Sequence, residues 1–192
     1  MCGTRLLSFP VRYLSLFLWV GLLLAPSLGW AAHAYGQFGD VKYPADFSHF
    51  DHVNPNAPKG GEMHLVSPTR ASSFDKYNPF TLKGSAPPGL GLLVFESLLT
   101  GNMDEPTTAY GLLAQDVSLA PDRLSVTFRL HPLARFHNGN PVLAADVKHS
   151  FDQLISQQAA PQFRTLYAEV SKVVVVDDRV VRFEFKRVNP EL

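Results

Sequence analysis

Between residues 124 and 130, apolar and polar side chains alternate without a break. Leu124, Val126, Phe128 and Leu130 fall on one side of an extended chain and Ser125, Thr127 and Arg129 on the other. A period of two marks a strand buried on one face, so the rest of the chain must supply sheet neighbours and a cover for that face. The partner strand is expected at 116–119. Ala120-Pro121-Asp122-Arg123 lies between the two stretches, and its Pro and Asp suit a tight turn.

The cover is expected from the next segment. Asn138-Gly139 marks a sharp reversal, because both residues tolerate positive φ. Val147, Phe151, Leu154 and Ile155 then recur at helical spacing to form one apolar face, with Asp146 in the first turn, where a carboxylate is favoured by the helix dipole. Pro161 is expected to end that helix. A second hairpin is expected from 172–176 and 180–186 around Asp177-Asp178, with Val181, Phe183 and Phe185 sharing a face.

Upstream the signals are weaker. Residues 35–61 are rich in Gly, Pro, Asn, Asp and His and show no sustained apolar period, so they read as an extended surface segment. Residues 62–67 are the first plausible strand. Leu90, Leu93, Val94 and Leu98 recur at helical spacing, which predicts a helix over 89–99 with these residues on its buried face. No element after residue 186 is available to cover the edges of the expected sheet, which suggests a truncated domain.

The first 34 residues read as an address. Arg5 and Arg12 precede an apolar run over 13–24, Pro26 and Gly29 interrupt the stretch after it, and Ala32-His33-Ala34 places small residues where a signal peptidase inspects them. Cleavage is expected after Ala34. The lone cysteine, Cys2, precedes the apolar run, so a processed chain carries no thiol for disulfides, covalent catalysis or zinc. Lys plus Arg and Asp plus Glu both total 17. This balance carries no electrostatic footprint for nucleic acid.

Chemistry-bearing motifs are sparse. His49-Phe50-Asp51-His52 has the spacing of a small metal site but no third ligand is identifiable, and a surface loop is the better reading. The remaining histidines are scattered, and no Gly-x-Ser-x-Gly elbow accompanies them. Neither Lys59-Gly60-Gly61 nor the glycines at 89 and 91 have the spacing of a phosphate-binding loop. No catalytic residue, metal or cofactor is assigned.

Two stretches do carry a resemblance. Residues 124–151, with Phe136-His137-Asn138-Gly139 and Ala144-Ala145-Asp146-Val147, resemble a signature of the extracellular solute-binding proteins of family 5. Val94-Phe95-Glu96-Ser97-Leu98 and Gly111-Leu112-Leu113-Ala114 sit where that family has similar segments. Residues 49–61, followed by Tyr77-Asn78-Pro79-Phe80 and Lys83-Gly84-Ser85-Ala86, are similar to its Yej-type oligopeptide-binding subgroup. Asn138 stands for the usual Asp. Leu143 stands for a usual Thr, which removes a helix cap worth about 1 kcal/mol.

The resemblance implies an α/β fold of the type II periplasmic-binding-protein architecture, here an incomplete first lobe over 62–192. It implies no enzyme. The expected partners are an oligopeptide ligand and the permease subunits of an ABC transporter at the membrane, with ATP hydrolysed elsewhere. Ligand contacts are expected in the loop before the helix, at Lys83, Gly84, Ser85 and Ala86, with Phe163 and Tyr167 as ligand-facing aromatics. Nickel, haem, opine or sugar remain alternative ligands, and a secreted hydrolase without its catalytic half or a sensory module are rivals from other classes.

Overall fold

The structure is a computed structural model that describes residues 32–62, 64 and 74–188. Two antiparallel sheets organise it. The larger contains β4 (Ala114–Leu119), β5 (Ser125–Leu130), β6 (Val170–Asp177) and β7 (Val180–Phe185) in the order β4-β5-β7-β6. Both expected hairpins are present. Val117 lies opposite Phe128, Phe128 opposite Val181, and Val181 opposite Val175. Val126 and Leu130 are buried, as alternation requires of a half-covered strand.

The cover is α2 (Ala144–Leu154), which sets Phe151 and Val147 against Val173, Val181, Phe128 and Phe183. Phe183 meets Phe128 and Phe151 edge-on, each pair with centroids 5.7 Å apart. Burial of one such ring stabilises the fold by roughly 1.5–3 kcal/mol. Leu143 supplies no side-chain cap. Instead the Asp146 carboxylate accepts the Leu143 backbone N–H at 2.8 Å, the return half of a capping box. Gly139 has φ 87°, and its N–H reaches the Phe136 carbonyl at 2.9 Å to close the reversal before the helix.

The smaller sheet has the order β1-β3-β2, from β1 (Ala34–Gly36), β2 (Leu99–Asn102) and β3 (Glu105–Gly111). Its centre is Tyr110, fully buried under the rings of Tyr43, Phe47 and Phe50 at 5.4–5.6 Å. The segment 37–50 is therefore partly core, with Tyr43 only 4% exposed, whereas residues 51–62 are exposed as expected of a surface segment. Outside this cluster Lys42 bridges Asp51 at 2.6 Å and Asp104 at 3.3 Å, and the Tyr43 hydroxyl donates to Asp104 at 2.7 Å. The Tyr43 hydrogen bond, then Lys42, holds the Asp104 carboxyl below its ordinary range; Lys42 does the same for Asp51. Burial, then the hydrogen bond to Glu105, pushes the Tyr110 hydroxyl up.

Several expectations need correction. The helix expected at 89–99 is one turn, α1 (Leu90–Leu93), and Leu93 and Val94 are 71% and 64% exposed rather than buried. Its chain then leaves for β2. Ile155 is exposed, because α2 has already ended at Leu154. Pro161 does not close that helix: it opens the next, α3 (Pro161–Leu166), at a position where its missing N–H costs nothing. Glu62 and His64 are irregular, and the remainder of the strand expected at 62–67 lies outside the described residues. The leader expected over 1–34 lies outside them up to residue 31. Ala32, His33 and Ala34 belong to the fold.

Candidate functional site

The loop before α1 is held by its own side chains. Asp75 accepts the Ser85 N–H at 2.8 Å and donates its own N–H to the Ser85 carbonyl at 3.0 Å, while the Lys76 ammonium reaches the Thr81 carbonyl at 2.6 Å. Gly84 has φ 84°, strained for other residues, and a Cβ there would stand 2.5 Å from Asp75 Oδ1 and displace that carboxylate. Thr81 bridges Ala159, and the Ala160 N–H donates to the Phe80 carbonyl at 2.9 Å. These bonds pin the loop to the start of α3.

Aromatic packing completes the junction. Phe80 meets Phe95 at 5.0 Å and Phe163 at 5.6 Å, both edge-on. Arg164 holds α3 to the preceding turn through the Ser156 and Ala159 carbonyls, at 2.9 and 3.1 Å. Lys83, Gly84 and Ser85 are exposed and Ala86 is half-buried. An exposed ammonium beside exposed main chain and a half-buried ring can meet the carboxylate, backbone and apolar side chains of an extended ligand.

Of the six expected contact residues, five are thus brought to one neighbourhood: Lys83, Gly84, Ser85 and Ala86 in the loop, and Phe163 through Phe80. Tyr167 is placed elsewhere. It packs on Phe151 at 5.7 Å and joins the cover of the larger sheet. Phe80 and Phe95 are the residues that sequence reasoning left out. Both lie within the stretches that carried the resemblance, but an aromatic in sequence does not declare whether it lines a site or a core.

Other places offer less. An open surface hollow of about 540 Å³ is lined by Phe136, Asn138, Asn140, Pro141, Leu143 and Asp146. Two of its polar groups serve the backbone: Asn138 Oδ1 accepts the Asn140 N–H at 3.0 Å and Asp146 accepts the Leu143 N–H. His49 contacts Ser48 at 2.8 Å, and His52 stacks on Phe50. Among the described residues no three His, Cys, Asp or Glu side chains gather to hold a metal, and no helix is long and apolar enough to cross a membrane.

Comparison with known proteins fits these elements. The family model described as bacterial extracellular solute-binding proteins, family 5, middle region, matches residues 108–192, from β3 through β7. The probable peptide-binding protein YejA of Agrobacterium fabrum is 38% identical over 79% of this chain and 24% of its own length. The peptidoglycan-binding protein YepA of the same organism is 38% identical over 80% of this chain and 25% of its own. The chain therefore spans about a quarter of the length of these curated relatives. Among solved structures, NikA from Brucella suis in complex with Fe(III)-EDTA superposes with a TM-score of 0.50 at 27% identity, covering 57% of this chain and 22% of that one. The fold is part of the type II periplasmic-binding-protein architecture. By sequence and by fold, the chain belongs to the bacterial extracellular solute-binding proteins of family 5.

Proposed function

We propose that the chain is part of the substrate-binding component of an ABC importer, acts outside the cytoplasmic membrane, and captures oligopeptides. The observation that carries the ligand class is the 38% identity to a probable peptide-binding protein over 79% of the chain. The junction of the 81–86 loop with Phe163 supports it. Main-chain groups there suit the backbone of an extended peptide, and Lys83 suits its carboxylate. Specificity among side chains would be loose, because water fills what a given residue does not.

In this reading residues 62–192 contribute to the first lobe and 35–61 form an extended segment laid against it. A second lobe closes over the ligand, and the closed form is what the permease recognises. No covalent chemistry is required of this chain. Similarity to a peptidoglycan-binding protein favours, as a second reading, the peptide part of peptidoglycan as the captured segment.

Calorimetric titration of the secreted gene product separates these readings. Heat with a mixed oligopeptide pool, and none with nickel, opines, haem or sugars, is expected. Heat only with peptidoglycan-derived peptides would select the second reading, and binding confined to one of the non-peptide ligands would defeat both.

A further inference from the structure

The leader's small-residue motif coincides with residues that the fold uses. Ala32 forms a two-bond antiparallel bridge with β4: its N–H donates to the Val117 carbonyl at 2.9 Å and its carbonyl accepts the Val117 N–H at 2.8 Å. The His33 carbonyl accepts the Gly111 N–H at 2.9 Å, and His33 Nε2 lies 2.8 Å from the Tyr43 carbonyl. Ala34 pairs with Tyr110 in β1 and is 6% exposed, packed with Tyr43 and Tyr110. Three residues thus tie the smaller sheet to the larger one and close a flank of the aromatic cluster.

A cut after Ala34 would remove all of this. It would shorten β1 to two residues, strip the Val117 N–H and carbonyl of their partners, and leave the Gly111 N–H without its acceptor. Buried main-chain groups are seldom left in that state. Processing acts on the extended chain before it folds, so the fold shields no bond. It constrains the cut through what the product must keep.

We propose that the leader is cut at the Ala31–Ala32 bond, so that the mature chain begins at Ala32. Gly29-Trp30-Ala31 presents small residues at the same two inspected positions, three residues upstream of the more obvious Ala32-His33-Ala34. The step is hydrolysis by a leader endopeptidase. The C–N bond breaks, water's hydroxyl goes to the Ala31 carbonyl carbon, and its proton goes to the Ala32 nitrogen. The freed amine, with an ordinary pKa of about 8, is largely protonated at neutral pH and still donates to the Val117 carbonyl. The bridge therefore survives, and its new charge strengthens that hydrogen bond.

This inference rests on the exported reading, and the test separates the two. The whole gene is expressed with its leader in a Gram-negative host, and the released protein is read by amino-terminal sequencing and intact mass. A start at Ala32 is expected. A start at Tyr35 or later overturns the inference while leaving export intact; a start at Trp30 or earlier overturns the assigned bond. A product that retains Met1 in the membrane fraction overturns cleavable export itself. Paired variants give a second readout on the precursor, independent of folding. Ala31→Leu should abolish the start at Ala32, and Ala34→Leu should leave it unchanged. The reverse pattern contradicts the assignment.

Discussion

Tyr110 shows how one side chain can join local pairing to distant packing. Its ring lies under three aromatics from 60 to 67 residues upstream, and its hydroxyl accepts the Tyr43 N–H at 3.2 Å and donates to Glu105. Tyr110→Phe keeps the ring and leaves that N–H without its acceptor, so a loss of about 1–3 kcal/mol is expected in denaturant unfolding. The neighbouring charges set a pH dependence. Asp51 and Asp104 have folded pKa values below their unfolded ones, so the stabilisation they give is complete above roughly pH 5 and is lost as pH falls through the folded values. An acid titration followed by tyrosine fluorescence should show this loss. Asp104→Asn should flatten it. Little of the cluster was legible in sequence, because residues 35–61 lack a period and Tyr110, on which Tyr43, Phe47 and Phe50 all pack, lies 60 to 67 residues away. The same limit explains Tyr167, whose packing on Phe151 no spacing rule could distinguish from a ligand-facing role.

At the scale of elements, the parts that local pattern specifies came through best. The hairpins of β4 with β5 and β6 with β7 follow from alternation and turn residues, and α2 follows from the spacing of Val147 and Phe151. Phe151→Ala, which hollows the junction of helix and sheet, should cost about 3–5 kcal/mol in chemical unfolding. Gly139→Val should lower the melting temperature by several degrees with ligand affinity retained, because φ 87° is strained for a β-branched residue and the turn's polar groups serve the backbone. Lost binding at unchanged stability would reassign that turn to the site. The failures are equally physical. Leu90, Leu93, Val94 and Leu98 have helical spacing, yet the chain between Gly89, at φ 80°, and β2 completes one turn only. β3 has no clear sequence signal because Pro106, Thr107 and Thr108 dilute its alternation, although Thr108 and Tyr110 are both buried on one face.

In the whole molecule, two sheets each carry their own cluster, and the Ala32–Val117 bridge and the β3–β4 corner join them. Gly111 sits at that corner, where a Cβ would come within 2.4 Å of the Ala114 carbonyl oxygen. Phe183 is covered by Phe128 and Phe151. Exposed apolar side chains occur elsewhere, among them Leu92, Leu93, Val94 and Leu166. Such surface favours self-association, so light scattering should report concentration-dependent oligomers that Leu93→Glu reduces. Capture of peptide at the 81–86 loop is mapped by backbone amide chemical shifts of the full-length gene product titrated with an oligopeptide pool. Shifts are expected to concentrate at Lys83, Gly84, Ser85, Ala86 and Phe163, with Tyr167 unmoved. Shifts confined to the hollow around Asn138, or none at millimolar peptide, would contradict it.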